Sequence, residues 1–444
     1  MSNTTSQLMV NLPNGQEDTK VGNYFVSNYP PFNCWNSQNV GLAQERFRRS
    51  GPTDVPLGMY VHIPFCRKRC HFCYFRVYTD KKNRDIVNYL DAIKVEASRL
   101  AETAFIGGRK ASFLYFGGGT PSYLSHEQLN DLISHLRKTF PWDGMEEIAF
   151  ECEPGTLTQK KVQGLRELGI TRLSLGVENF SDEILQTNNR AHRSMEVYRS
   201  YDWIQAAKFP QVNVDLIAGM IGETDENWHQ AIRKVIELNP DAVTIYQMEI
   251  PHNTTIHKEM RQEGRDIAPV ATWNTKRRWV AEAFAALESA GYTVSSAYTV
   301  VKDPQRTKFL YRDSLWAGAD MLALGVSAFG YLSGVHYQNE SHIEPYVKSI
   351  RKGYFPIWRA VGMTTEEKMI RQFVLQMKLG RLSTDIFQEK FGVDINRRWG
   401  SIFERYEQAG WLSRHGQTIE LTREGLMQVD RLLFSFFLPK HQID

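Results

Sequence analysis

Three cysteines crowd into one short segment of the chain and constrain its chemistry more than any other feature. Cys66, Cys70 and Cys73 form a CxxxCxxC loop directly after the short apolar run 59–63. Cysteine thiolates hold iron–sulfur clusters, and four of them complete the ligand set of a four-iron cluster. Three cysteines leave one iron open, and an open iron can bind a small molecule and pass it an electron. The spacing therefore predicts a redox cluster with these cysteines as its metal ligands.

A structural zinc ion is the alternative interpretation of the same loop. Structural zinc usually takes four Cys or His ligands from two well-separated pairs. Here three thiols lie within eight residues, which favours the iron–sulfur cluster. The candidates for a fourth zinc ligand are Cys34, Cys152, His62 and His71.

From residue 59 onwards, short β-branched or aromatic runs alternate with amphipathic helical runs. The predicted strands are 59–63, 112–116, 146–151, 171–176, 211–217 and 241–247, and the predicted helices are 83–104, 125–139, 159–168, 194–207, 224–238 and 273–290. Such alternation predicts βαβ units and a parallel sheet. Six units predict an α/β chain built as a partial (β/α)6 barrel, with its site at the C-terminal ends of the strands.

The sequence pattern divides the chain into four predicted segments. They are an N-terminal arm (1–58), the barrel (59–291), an extension that covers the barrel (292–360) and a helical C-terminal domain (361–444). The arm contains a run of aromatic residues and prolines from Tyr24 to Trp35, which we expect to pack against the barrel. The last segment combines helical patterns with a hairpin near Gly416 and a final helix at 422–437, which suggests a winged-helix-like fold.

The amino-acid composition bears on the cellular compartment of the protein and on the kinds of partner it can bind. The chain has 444 residues, of which 42% are hydrophobic, and five cysteines with three clustered do not form a disulfide framework. Residues 1–20 lack the apolar core of a secretory signal, and no apolar run approaches 18 residues. We therefore expect a cytoplasmic protein with no membrane span. A net charge of +3 does not favour nucleic acid, and we expect none to bind.

Glycines and acids stand where the second and third predicted strands end. The run 115–122 contains three consecutive glycines, which let a ligand approach backbone amides that no side chain screens. A tight turn is the alternative explanation. In the next strand, Glu151 or Glu153 can bind a ribose diol or an ammonium group, and we expect only one of them to point inward.

An acid also lies inside the fifth predicted strand. Asp215 is surrounded by apolar residues, where an ionisable group must be paired or hydrogen-bonded. It is either a structural acid paired with Arg190 or Arg172, or a ligand of ribose or of substrate.

The cysteine loop after a strand, followed by the glycine turn, resembles the radical S-adenosylmethionine (AdoMet, or SAM) superfamily. This resemblance implies a [4Fe–4S] cluster whose open iron chelates the amino and carboxylate groups of AdoMet. Reductive cleavage of AdoMet then gives a 5′-deoxyadenosyl radical. The chemistry also implies an electron donor such as flavodoxin or ferredoxin.

From about Tyr24 to the C-terminus the motifs resemble the oxygen-independent coproporphyrinogen III oxidase family. The most specific runs are 60–66, 116–121, 172–177, 213–217 and 324–328. The resemblance implies that the first AdoMet contacts Tyr60, Gly118, Gly119, Glu151, Arg190 and Asp215. We predict that Thr120 and Phe75 join this cofactor site and that Glu178 takes part in catalysis. Some members of the family bind a second AdoMet, and we expect two molecules here.

Two departures from the family affect the predicted reaction. Phe75 stands where the oxidase has a further cysteine, and Glu178 stands where it tends to have glutamine. The run 73–82 looks more like the family's C-methylating and cyclopropanating branch. We therefore predict C-alkylation of an sp² carbon, by methyl transfer or cyclopropanation, with the second AdoMet as carbon donor.

The alternatives are oxidative decarboxylation of coproporphyrinogen III and a haem-binding chaperone without turnover. In each case we expect a monomer that binds a small molecule. Aromatic residues make up 12% of the chain, which suits a site for a large, conjugated ligand.

Overall fold

The computed structural model describes residues 18–442 of the chain. A twelve-stranded sheet forms its centre, and six strands of that sheet run parallel and side by side in chain order. These strands are β1 (Leu57–Ile63), β2 (Ala111–Gly118), β3 (Glu147–Cys152), β4 (Arg172–Glu178), β5 (Gln211–Ala218) and β6 (Ala242–Gln247). The predicted α/β class and partial (β/α)6 barrel are confirmed.

Helices connect the parallel strands, as a parallel sheet requires. The connecting helices are α2 (Asn83–Ala101), α3 (His126–Thr139), α4 (Gln159–Glu167), α5 (Asp182–Thr187), α6 (Ser194–Ala207) and α7 (Asp225–Leu238). Helix α1 (Val40–Arg48) precedes β1, and α8 (Thr255–Glu263) and α9 (Trp273–Ser289) follow β6. Helix α7 shows why such segments are helical and where they pack. The hydroxyl of Thr224 caps its first turn, and its buried side chains, Trp228, Ala231, Ile232 and Val235, recur every three or four residues.

The segment 292–362 adds strands to both edges of the barrel sheet. Strands β7 (Thr293–Val294) and β8 (Thr299–Val301) follow β6, and helix α10 (Leu310–Ala317) comes next. On the other edge, β9 (Asp320–Leu324) pairs parallel with β1 and is followed by β10 (Phe329–Tyr331), β11 (Val335–Asn339), helix α11 (Ile343–Arg351) and β12 (Ile357–Gly362). The division of the chain into four domains remains a prediction.

A small three-stranded sheet and several helices complete the described chain. In order they are α12 (Thr365–Met377), β13 (Arg381–Ser383), α13 (Asp385–Phe391), α14 (Ile395–Gln408), β14 (Leu412–His415), β15 (Thr418–Leu421), α15 (Arg423–Met427) and α16 (Val429–Leu433). The hairpin near Gly416 is confirmed. The single last helix predicted at 422–437 is wrong, because the helix breaks at Gln428. There the side chain of Gln247 donates to the Met427 carbonyl, which a continuous helix would use itself.

The aromatic arm packs between the barrel and the C-terminal helices, as predicted. The backbone N–H of Gly22 bonds the carbonyl of Ile250 just beyond β6, at 2.9 Å. The N–H of Val26 bonds Asp430 in α16, at 2.8 Å, and Tyr29 is fully buried. Residues 1–17 of the predicted arm lie outside the described residues. Within the described part, no helix is both long and apolar enough to span a bilayer.

Candidate active site

The cysteine loop follows β1 and forms one wall of a large cavity. Cys66, Cys70 and Cys73 all line this cavity, and Cys66 is only 8% exposed. The hydroxyl of Thr120 donates to the Cys66 sulfur at 3.2 Å, and Arg190 donates to the Cys70 sulfur at 3.3 Å. Both donors suit sulfurs that carry negative charge, as cluster thiolates do.

Without a metal, burial disfavours the ionised thiolate form of Cys66 and Cys73. It raises the pKa of Cys66 to about 12 and that of Cys73 to about 11. The irons of a cluster would supply the positive charge that the thiolates lack, so the donor set fits a three-cysteine cluster. In the described part of the chain, no three His, Cys, Asp or Glu side chains surround a position for a single metal ion. A four-iron cluster does not need such a position, because its thiolates bind separate irons.

The glycine turn at the end of β2 packs directly against the cysteine loop. Gly118 has a φ of +110°, and a Cβ there would lie 2.5 Å from the ring of His62. A Cβ on Gly119 would lie 2.8 Å from the carbonyl oxygen of Ile63. Side chains are therefore excluded at both positions. The backbone of both glycines lies on the cavity wall, where a ligand can reach it.

Glu151 ends β3 inside the cavity. Its carboxylate accepts hydrogen bonds from the hydroxyl of Tyr115 at 2.6 Å and from the N–H of Gly118 at 3.2 Å. Burial raises the pKa of Glu151 to about 7, and the nearby carboxylate of Asp215 adds to the effect. A cationic ligand beside Glu151 would reverse this effect, because it would stabilise the ionised form.

Glu153 also lies on the cavity wall, so the expectation that only one of the two acids points inward is wrong. Residues two apart on a strand point to the same face. Glu153 is engaged by the chain itself, in contacts of 3.3 Å to Arg67 and 3.2 Å to His192. Although burial opposes it, these neighbours lower the pKa of Glu153, so this acid serves the structure of the loop.

Asp215 and Glu178 complete a group of acids at the strand ends. Asp215 accepts hydrogen bonds from Ser174 at 2.7 Å and Asn213 at 2.8 Å. It does not form the ion pair with Arg190 or Arg172 that was one of its two interpretations. Within the described residues its carboxylate has no ion-pair partner, and burial raises its pKa.

Glu178 sits at a register shift between β4 and β5 and has a left-handed φ of +64°. Its carboxylate lies 3.4 Å from the guanidinium of Arg190. Burial raises the pKa of Glu178 to about 7 despite this neighbour. The backbone irregularity and the buried carboxylate are compatible with the predicted catalytic part of Glu178, which stays a prediction.

Aromatic rings form the wall that faces these acids. Tyr60 stacks on Tyr115 at 6.0 Å, and Tyr115 stacks on Tyr311 at 4.4 Å between ring centroids. Phe75 lies 4.5 Å from the ring of Tyr74 and is 37% exposed. Flat, partly apolar walls of this kind suit an adenine or another planar ligand.

All the predicted site residues line the same cavity, whose volume is about 710 Å³. They are Tyr60, Cys66, Cys70, Cys73, Phe75, Gly118, Gly119, Thr120, Glu151, Glu178, Arg190 and Asp215. Their individual roles remain predictions. The sequence did not reveal the cavity-lining residues that follow β6 in the chain. They include Glu249, Trp273, Arg277, Tyr311, Phe329, His336, Arg371, Asp430 and Arg431. Only Tyr311 had a local signal, because it follows Phe309 in an aromatic run.

Comparison with known proteins agrees with this geometry. Residues 60–235 match the family model described as the radical SAM superfamily. The matched segment contains the cysteine loop, the glycine turn and the strand ends that carry Glu151 and Asp215, so the similarity to this superfamily covers the candidate site.

The chain is similar in sequence to oxygen-independent coproporphyrinogen III oxidases and to a haem chaperone. It is 28% identical over 389 residues to the oxidase of Escherichia coli (strain K12), covering 85% of this chain and 81% of that protein. It is 26% identical over 380 residues to the haem chaperone HemW of Bacillus subtilis (strain 168), covering 85% and 98%. The solved structure of the E. coli oxidase matches with a TM-score of 0.79 and 23% identity, covering 95% of this chain and 99% of that one. The predicted fold is thus confirmed over nearly the whole chain.

Proposed function

We propose that this protein is a radical AdoMet enzyme that oxidatively decarboxylates a porphyrinogen, with coproporphyrinogen III as the substrate to test first. One observation carries the proposal. A single cavity of about 710 Å³ joins the cysteine loop, the acids at the strand ends and a chamber of aromatic and arginine side chains. Ligand cavities span about 300–1,000 Å³, so this one is large enough for a cofactor beside a substantial substrate.

Cys66, Cys70 and Cys73 would hold the cluster, and the adjacent cavity would hold AdoMet. When bound, the cluster and AdoMet would supply an electron and a radical that abstracts hydrogen from carbon. Cys66 is buried and residues of the arm line the cavity, an arrangement that would limit the access of bulk water to the bound group. Arg190 would hold the Cys70 thiolate in place through its 3.3 Å contact.

The acids and the glycine turn suit AdoMet itself. Bound AdoMet carries an ammonium and a sulfonium group, and Glu151 and Asp215 are buried acids without a cationic partner in the described residues. Gly118 and Gly119 expose backbone groups to the cavity, beside the Thr120 side chain. The Tyr60 and Tyr115 rings offer a flat surface for the adenine.

Cations on the outer walls suit a substrate with several carboxylates. Arg172, Arg277 and Arg371 line the cavity, and guanidinium groups bind carboxylates with two parallel hydrogen bonds. Conversion of a propionate to a vinyl group releases carbon dioxide, gives one hydrogen atom to the radical and passes one electron to an acceptor. The relatives named as coproporphyrinogen III oxidases favour this reaction over the predicted C-alkylation.

C-alkylation remains the second candidate, and two positions support it. Phe75 offers no thiol beside the cysteine loop, and Glu178 places a carboxylate on the cavity wall. In this reaction the second AdoMet would give its methyl carbon to an sp² carbon of the substrate. Haem binding without turnover is a candidate of another class, supported by the relative named as a haem chaperone.

Product analysis separates the three candidates. Anaerobically reconstituted protein is incubated with a reductant, AdoMet labelled in its methyl group, and coproporphyrinogen III. We expect loss of carbon dioxide, 5′-deoxyadenosine, and no S-adenosylhomocysteine. The Cys66→Ala variant should be inactive, and Cys34→Ala, which alters a cysteine outside the cavity wall, should match the wild type.

The alternatives give different results in the same experiment. Release of both 5′-deoxyadenosine and S-adenosylhomocysteine, with label in a product formed from a cell extract, would support C-alkylation instead. Tight, stoichiometric haem binding without conversion of coproporphyrinogen III would support the chaperone.

A further inference from the structure

We propose that Arg277 and Trp273, with Arg431 beside them, form a subsite that binds a carboxylate group of a ligand in the cavity. All three residues line the cavity, on helices α9 and α16. The inference deepens the proposed function, on which it rests for the class of ligand.

Arg277 is a cation without an anion. In the described part of the chain its guanidinium takes part in no ion pair, and its Nε is enclosed and has no hydrogen-bond partner. Burial and the like charge of Arg431 lower the pKa of Arg277 to about 10, so it stays protonated near neutral pH. A mostly buried arginine placed beside another arginine is costly for the fold unless an anion joins them.

Trp273 adds a neutral donor on the same helix face. It lies four residues before Arg277, one helical turn away, and is 5% exposed. Its indole N–H is enclosed and also has no hydrogen-bond partner. An unsatisfied buried donor destabilises the fold, so two of them one turn apart are unusual for a purely structural surface.

The nearest acids are already used by other groups. Glu249 accepts the backbone N–H of Tyr24 at 3.2 Å, and burial raises its pKa to about 8. Asp430 pairs with Lys378 at 2.8 Å. Neither acid forms an ion pair with Arg277 among the described residues, so the Arg277 guanidinium has no acidic partner there.

A carboxylate fits this set of groups best. A guanidinium binds a carboxylate through two parallel hydrogen bonds, and an indole N–H can add a third. Two ligands of the proposed reaction carry such a group, namely a propionate arm of the porphyrinogen and the amino-acid end of a second AdoMet. Both present the same chemistry to Arg277.

The test compares Arg277→Gln with Arg278→Gln in the anaerobically reconstituted protein. Arg278 is the matched control, because it is the next residue on α9 but lies on the outside, paired with Asp225 at 2.6 Å. Three probes are titrated separately, namely coproporphyrin III, AdoMet and propionate. We expect Arg277→Gln to weaken at least one of them about ten- to a hundredfold, and Arg278→Gln to weaken none.

The pattern across the probes identifies the source of the carboxylate. Weaker coproporphyrin III binding with unchanged AdoMet binding assigns the subsite to the porphyrinogen. A fall in AdoMet stoichiometry from two to one per chain assigns it to the second AdoMet. Unchanged affinity for all three probes in Arg277→Gln overturns the inference.

Two further measurements keep the result independent of folding and of the proposed function. Trp273→Phe retains the ring and removes only the N–H, so it should weaken the same probe about two- to tenfold if Arg277→Gln does not fold. Arg277→Gln should also unfold at the same or a higher temperature than the wild type, because it removes a charge repulsion.

If the wild type fails to convert coproporphyrinogen III while Arg277→Gln loses affinity for AdoMet or propionate, the proposed function fails and the subsite stands. If coproporphyrinogen III is converted with an unchanged KM in Arg277→Gln and all three affinities are unchanged, the subsite fails and the proposed function stands.

Discussion

Replacing Glu151 with glutamine should change both the strength of AdoMet binding and its dependence on pH. In the ligand-free protein, burial raises the pKa of Glu151 from 4.5 to about 7. The folded chain therefore holds this proton more tightly than the unfolded chain does. Between pH 4.5 and about 7 the unfolded state loses the proton and the folded state keeps it, so folding stability falls as pH rises through this window. The full difference corresponds to about 3 kcal/mol above pH 7.

A cationic ligand bound beside Glu151 would offset part of the free-energy cost of burying its ionised carboxylate. If AdoMet binds the ionised form of Glu151, its binding releases a proton near and below pH 7. A carboxyl with a pKa of about 7 is roughly nine-tenths protonated at pH 6 and nine-tenths ionised at pH 8. Wild-type protein should then bind AdoMet about tenfold more weakly at pH 6 than at pH 8.

The Glu151→Gln variant should bind AdoMet about ten- to a hundredfold more weakly at pH 8, because a hydrogen bond to a charged group is lost. Its affinity should no longer depend on pH from 6 to 8. The amide supplies only one oxygen, whereas the carboxylate accepts from both Tyr115 and Gly118. Because the amide does not ionise, the free energy of unfolding of the variant should also lose the fall with rising pH that Glu151 causes between pH 4.5 and about 7.

Isothermal titration of the reconstituted protein in buffers of different ionisation enthalpy measures affinity and proton release together. Glu178→Gln is the matched control, since the pKa of Glu178 is also about 7 and its carboxylate lies in the same group of acids. In that variant the pH dependence due to Glu151 should persist. Wild-type affinity that is constant from pH 6 to 8, or an unchanged pH profile in Glu151→Gln, would refute the reasoning.

Three further predictions concern the metal, the fifth strand and the arm. Cys66→Ala should lose iron and AdoMet cleavage while Cys34→Ala keeps about four iron and four sulfide per chain by chemical analysis, and stoichiometric zinc in protein purified without oxygen would contradict the cluster. Asp215→Asn should weaken AdoMet binding about ten- to a hundredfold in equilibrium dialysis at normal iron content, whereas unfolding with unchanged affinity in the residual folded fraction would mark a structural acid. Lys378→Met should loosen the arm and cost about 3–5 kcal/mol, because Asp430 loses its buried partner at 2.8 Å, and an unchanged rate of arm proteolysis would argue against this.

The barrel and its strand ends could be predicted from the sequence because both follow from local patterns. Alternating β-branched runs and amphipathic helices define the six parallel strands, and residues that follow such strands meet at one edge of the sheet. Glu151 and Asp215, which are 64 residues apart in the chain, therefore reach the same cavity without any local sign of proximity. The three cysteines could be expected to lie together because they belong to a single loop, and all three line the cavity.

Features that depend on distant partners could not be predicted. The last helix breaks at Gln428, where the side chain of Gln247 on β6, distant in the chain, donates a hydrogen bond to the Met427 carbonyl. Arg277 looks like any charged residue of an amphipathic helix, and Arg278 beside it is exposed and paired. Only the folded structure reveals that Arg277, and not Arg278, lies on the cavity wall.

The charges of the cavity are separated, and this separation suggests how two ligands would share it. Acids at the strand ends, represented by Glu151 and Asp215, lie where the cationic AdoMet would bind beside the cysteine loop. Two arginines, Arg277 on α9 and Arg371 on α12, also line the cavity, and they come from helices that follow the six parallel strands in the chain. An anionic substrate bound by these arginines would present its other parts to the barrel. A porphyrinogen with several propionates satisfies both demands, because some of its carboxylates can be held while another reacts.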